Sequence, residues 1–240
     1  MKSYKKIYSE INKLNGSIVE ETFDYDKSGL LSKSHYFGTE YEKWIDLITN
    51  RKENILYKSA LNEYYMSNLA LVQGNYRHAF VSLRFFIEQT LFGIQLSINE
   101  QELKMWLNRK KDMYWSSIVN EESGIFSKVY IDVFCPNLSR YADKYRNMAK
   151  QVYRNCSEYI HGNDIIDCRL PEKIQFDEMA FNAWHKEATI VKSVVTFSMF
   201  VRYYDLLDNM EAKENFESYL TDIIGHKPEI QQFYDKECIA

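Results

Sequence analysis

Glycine and proline are scarce: the 240-residue chain has only 8 of the first and 3 of the second. A β-sandwich or barrel needs a turn signal every 8–12 residues or so, and that supply is missing here. Cysteine is scarce too, with Cys135, Cys156, Cys168 and Cys238 forming no CxxC pair. In a chain this long the pattern reads as reduced thiols rather than a disulfide framework. No apolar run reaches bilayer length; the longest, Ala188 to Val201, is interrupted by Lys192. The first residues, MKSYKKIYSEINKLNG, are charged and lack the apolar centre of a signal peptide. A phosphate-cradling glycine loop, GxSxG and HExxH are all missing. The expectation is a soluble, cytoplasmic protein that does not engage a membrane.

Aromatic side chains are plentiful, with 14 Phe, 19 Tyr and 4 Trp, which excludes disorder and supplies a deep core. The formal charge of −4 argues against a protein that coats nucleic acid generally, but allows a local basic site. Length, turn scarcity and helical periodicity together predict one all-α domain.

Along the chain, the pattern predicts a first helix ended by Gly16, then an irregular stretch over 16–38, then a helix capped by Thr39. Further helices are expected at 53–73, ended by Gly74, and at 75–97, capped by Asn75 and nearly apolar all round. Ser97 and Glu100 resemble a capping box for a short helix. Shorter helical pieces follow over 112–134. Pro136 precedes a long helix over 137–161, stopped by Gly162. Asp177 is expected to cap a helix reaching about residue 208, and two short helices finish the chain.

The segment 137–161 is the most informative. On a helical wheel, Leu138, Tyr141, Ala142, Tyr145, Met148, Ala149, Val152, Tyr153, Cys156, Tyr159 and Ile160 fall on one arc. The polar residues Arg140, Asp143, Lys144, Arg146, Asn147, Lys150, Gln151, Arg154, Asn155, Ser157, Glu158 and His161 occupy the other. Five basic and two acidic residues give this segment +3 within a chain of −4. It is an island of positive charge suited to an anion. Arg154 and His161 are seven residues apart, hence on nearly the same line of the helix. A plainer reading stands beside this one. Arg154 can pair with Glu158 four residues on, for at most about 0.5 kcal/mol. His161 can simply complement the negative end of the helix dipole.

The run Tyr153-Arg154-Asn155-Cys156-Ser157-Glu158-Tyr159-Ile160-His161-Gly162 resembles the signature of the HEPN superfamily: Arg, often a polar residue such as Asn, then His after four to six intervening residues. Here six residues intervene. The likeness covers about residues 55–210, a HEPN-like core, and leaves 1–50 as a helical appendage. It implies a metal-independent endoribonuclease of toxin–antitoxin, abortive-infection or antiviral type, acting on RNA without a cofactor. Arg154 would hold the phosphate, His161 would move protons, and Asn155 would position ribose or phosphate. Lys150, Lys144 and Arg140 would contact the RNA backbone, with Ser157 and Glu158 in support. The resemblance further implies a homodimer with its cleft at the interface, and an antitoxin or a sensor or ATPase protein as partner. The competing expectation is a non-catalytic module whose groove binds a nucleotide or a protein.

Arg84 and Glu88, four apart on the apolar helix, read first as a buried structural pair. In HEPN-like chains such a pair faces the motif helix, so Arg84 is carried as a possible support residue. Cys156, His161, Cys168 and His185 do not have zinc-ligand spacing, so no metal is expected. Asp164 and Asp167 read as solvated loop acids.

Overall fold

The structure, a computed structural model, describes residues 3–161 and 170–235. Among them are eleven α-helices, two 3₁₀ turns and no strand. The first four helices are α1 (Tyr4–Tyr25), α2 (Leu30–Leu47), α3 (Asn54–Val72) and α4 (Tyr76–Ser97). Three short ones follow: α5 (Glu100–Leu107), α6 (Trp115–Ile118) and α7 (Lys128–Phe134). Then come α8 (Ala142–His161), α9 (Glu178–Arg202), α10 (Met210–Ile224) and α11 (Pro228–Asp235). No helix of the described residues is long and apolar enough to cross a membrane.

The N-terminal expectation is corrected. Gly16 does not end a helix: α1 runs through it, and residues 16–38 are largely helical rather than irregular. The chain turns instead at Asp26-Lys27-Ser28-Gly29, where Gly29 takes a left-handed φ of 70°. The Asp26 carboxylate accepts from the amides of Leu30 and Leu31 at 2.9 and 2.8 Å, satisfying two orphan donors at the start of α2. Thr39 is not a cap but an interior residue of α2, its hydroxyl donating back to the Tyr36 carbonyl.

Gly74 does end α3. Its φ of 71° and the bonds from Gly74 N–H to Leu71 O and from Asn75 N–H to Ala70 O make a Schellman turn. A Cβ at this position would lie 2.5 Å from the Gln175 carbonyl oxygen, so the neighbouring backbone also requires glycine. Asn75 precedes α4 but its side chain makes no cap bond. Ser97 does not start α5. It closes α4 and accepts from Arg202 Nε at 2.6 Å, while Asn99 caps α5 through the Glu102 amide. Asp177 caps α9 as expected, accepting from Ala180 N–H at 2.8 Å. That helix ends at Arg202, short of 208, and continues as a 3₁₀ turn.

The central helix is α4, with Phe80, Leu83, Phe86, Ile87, Leu91 and Ile94 fully buried. Around it α3, α8 and α9 pack, and α2 brings Phe37, Tyr41 and Trp44 into the same cluster. So the N-terminal 50 residues divide: α1 is mostly exposed, whereas α2 is core. Several of the buried tyrosines satisfy their hydroxyls by bonding across helices. Tyr41 bonds Thr90 at 2.8 Å, Tyr57 bonds Tyr203 at 2.9 Å, and Tyr219 bonds Thr196 at 2.6 Å. These bonds tie α2 to α4, α3 to the turn after α9, and α10 to α9.

Candidate functional site

Helix α8 is amphipathic in the way its sequence dictates. Ala142, Tyr145, Ala149, Val152, Cys156 and Tyr159 are buried against α4 and α9. Tyr145 stacks on Phe197 and Tyr159 on Phe80, both with ring centroids 3.7 Å apart. The α-helical portion begins at Ala142; residues 136–141 form a 3₁₀ turn after Pro136, where a continuous helix from 137 was expected. Gly162, Asp164, Asp167 and Cys168 lie outside the described residues.

The basic residues of the polar arc are not all equally open. Arg146 is buried, pairing with Asp143 at 2.8 Å and reaching Glu121 at 3.4 Å. Arg140, which precedes α8, pairs with Glu229 of α11 and donates to the Tyr141 hydroxyl while 60% of its side chain stays accessible. At the apolar edge, Ile160 is exposed. The open basic set on α8 therefore narrows to Lys144, Lys150 and Arg154.

Arg154 has 83% of its side chain accessible. Its only ion-pair contact among the described residues is Glu158 Oε1 at 3.9 Å, an exposed pair worth at most about 0.5 kcal/mol. His161 is exposed as the last residue of α8. Lys150 is exposed on the same helix. Asn155 is placed differently. Its amide donates to Glu187 Oε1 of α9 at 3.0 Å, which holds it on the helix packing rather than beside Arg154. Burial raises the Glu187 carboxyl above its usual range, with the Asn155 bond and Lys186 opposing and Glu158 adding to the rise. Ser157 donates back to the Tyr153 carbonyl of its own helix.

Beneath this face lies a second polar group that joins α4 to α8. The Arg84 guanidinium bonds the Tyr153 hydroxyl, lies over its ring at 4.5 Å, and stands 3.8 Å from Glu88. Tyr153 in turn reaches Glu88 Oε1 at 3.4 Å and stacks on Trp115 at 3.8 Å between centroids. Burial raises the Glu88 carboxyl, with Arg84 and Tyr153 pulling it back. Arg84 thus fixes α8 at the turn that carries Arg154. Arg77 reinforces the end of the helix, donating to the Tyr159 carbonyl at 2.7 Å. The wheel placed Tyr153 among the apolar residues, and no sequence signal pointed to Glu187 or Trp115.

Among the described residues no group of three His, Cys, Asp or Glu side chains is placed to hold a metal ion. His185 is buried between the rings of Phe181 and Trp184, and burial brings its pKa down to about 4, with Lys192 adding and Asp26 opposing. Compared with protein-family models, curated proteins and solved structures, the chain matches none.

Proposed function

We propose that the protein is a metal-independent endoribonuclease of HEPN type, working as a toxin or antiviral effector. The observation that carries this reading is the exposure of Arg154 and His161 on one face of α8, two turns apart, while the opposite face is locked into the core. Arg146 of the same helix is by contrast buried and paired, which leaves Arg154 as the arginine of α8 that is open to a ligand.

RNA brings its own nucleophile. The ribose 2′-hydroxyl attacks the adjacent phosphorus, the new O2′–P bond forms, and the P–O5′ bond breaks. The products are a 2′,3′-cyclic phosphate and a 5′-hydroxyl. An imidazole titrates near neutrality and can take the 2′ proton and return one to the leaving O5′ without a metal. A guanidinium stabilises the charge that grows on the phosphoryl oxygens. Seven helical residues separate the two α-carbons by about 10 Å, and helical side chains lean toward the N-terminus, away from the histidine. A two-fold dimer closes that gap by setting each subunit's arginine near the partner's histidine. The proposed active form is therefore a homodimer with α8 near the axis, restrained in the cell by a neutralising or sensing partner.

Labelled RNA in excess EDTA tests the reading. Cleavage to cyclic phosphate ends is expected, with His161→Ala and Arg154→Ala each abolishing it and leaving the fold intact. Lys150→Ala should instead weaken RNA binding and lower its salt dependence. Undiminished cleavage by His161→Ala would refute the mechanism.

A further inference from the structure

Away from Arg154 and His161, helices α2, α8, α9 and α10 enclose a cavity of about 440 Å³. Lys33 of α2, Lys144 of α8 and Lys192 of α9 line it, with His226 from the turn after α10. Asp222 is the one carboxylate among the lining residues. Lys227, buried beside His226 with 2.8 Å between Nζ and Nε2, lies over the rings of Tyr141 and Tyr145 behind the same wall. Among the described residues, lysine ion pairs are made by Lys27, Lys43, Lys52, Lys104 and Lys111, and by none of these four.

This arrangement is costly. Lys192 donates to the Ser34 hydroxyl at 3.0 Å and lies over the face of Phe37 at 5.6 Å, without an ion pair among the described residues. Burial brings its pKa down to about 8, with Asp222 opposing and Lys33 adding. Lys227 is brought to about 8 by burial and by Lys144, with Glu229 opposing. His226 is lowered by burial and by both Lys227 and Lys144. Three helices bring like charges together around an open space in a chain whose net charge is negative. An anion entering that space would offset the surplus beyond what Asp222 supplies.

The rest of the lining describes the remainder of the ligand. Met148, Ile190 and Ile223 form a half-buried apolar wall, and the Tyr36 ring stands exposed at the rim. A bare ion would leave that wall wet, and a neutral apolar compound would leave the lysines unpaired. We propose that this cavity binds a small phosphate monoester carrying a flat ring: the phosphate dianion among Lys33, Lys144 and Lys192, the ring on the apolar wall. The site does not depend on the ribonuclease reading, because it uses neither Arg154 nor His161.

Calorimetry and thermal shift on the full chain test it, with phenyl phosphate and the four nucleoside monophosphates as probes, and inorganic phosphate and adenosine as comparators. At least one ester should bind tenfold or more tightly than either comparator. Lys192→Met and Lys33→Ala should each weaken that binding at least tenfold, while Lys58→Ala, at an exposed position of α3 outside the cavity, should not. Lys33 is solvent-exposed, and an unchanged Tm of the unliganded Lys33→Ala protein separates loss of binding from loss of fold. Absence of binding by every ester, equal binding by inorganic phosphate, or unchanged affinity in both cavity variants would overturn the proposal.

Discussion

Lys192→Met should make the unliganded protein more stable, and the gain should depend on pH. In the fold the ammonium is pushed from 10.5 to about 8, chiefly by burial and then by Lys33, against the attraction of Asp222. That displacement corresponds to about 3 kcal/mol against the charged form. The side chain keeps some access to water, so a gain of about 1–3 kcal/mol is expected at pH 7, or about 2–4 °C in Tm per kcal/mol. The sign follows from proton counting. Between pH 8 and 10.5 the unfolded chain holds the Lys192 proton while the folded chain releases it, so the wild type gains stability as pH rises. The advantage of the variant is therefore full below pH 8 and shrinks toward zero by pH 10.5. Buried Cys135 and Cys156 thiols and the buried tyrosines also change alkaline stability, because their ionisation is suppressed in the fold. Those effects are common to both proteins and cancel in the difference. Urea denaturation of wild type and Lys192→Met from pH 7 to 10.5 reads the gap directly. A variant less stable at pH 7, or a gap that does not change with pH, would show that the lysine sits comfortably and that the cavity carries no excess charge.

Gly74→Ala should cost about 2 kcal/mol or more, because a positive φ and a collision with the Gln175 backbone act together; chemical denaturation measures it. Asp26→Ala should cost about 1–2 kcal/mol at neutral pH by removing the bonds to Leu30 and Leu31. Burial alone would raise the Asp26 carboxyl, but the amides of Leu31 and Leu30 and the Ser28 hydroxyl hold it below its usual 3.8. The cost of that substitution should thus be full at neutral pH and fade only as pH falls below 3.8, with acid titration of both proteins as the check. Arg84→Met should leave α8 in place but loosen it, seen as faster amide exchange around Tyr153, since it removes the bond from the α4 guanidinium to the Tyr153 hydroxyl and leaves only the longer contact to Glu88. Unchanged exchange there would mean that packing alone holds the helix.

Local pattern was enough for the face that each main helix buries and for some of its ends, although it misplaced the caps at Thr39 and Ser97. The two faces of α8, the buried character of α4, the stop at Gly74 and the cap at Asp177 follow from side-chain period and terminal chemistry, which a linear sequence carries in full. The exposed pair Arg154 and His161 was legible for the same reason. Glycine misled where its neighbours decided. Gly38 is helical because its missing Cβ admits the ring of Tyr65, 2.7 Å from where that atom would be. Gly16 costs α1 about 1 kcal/mol and the helix continues regardless.

Only the tertiary structure could bury Arg146, since its partner Glu121 precedes α7, or turn Asn155 toward Glu187 and Arg140 toward Glu229. Only the tertiary structure could gather Lys33, Lys144 and Lys192 around one space, because they come from three helices far apart in the chain. In the sequence Lys192 was visible merely as a charge interrupting an apolar run. Helical period fixes the face on which a side chain lies, whereas charge pairing and cavity formation depend on which other faces arrive opposite it, and that is settled only when the helices pack.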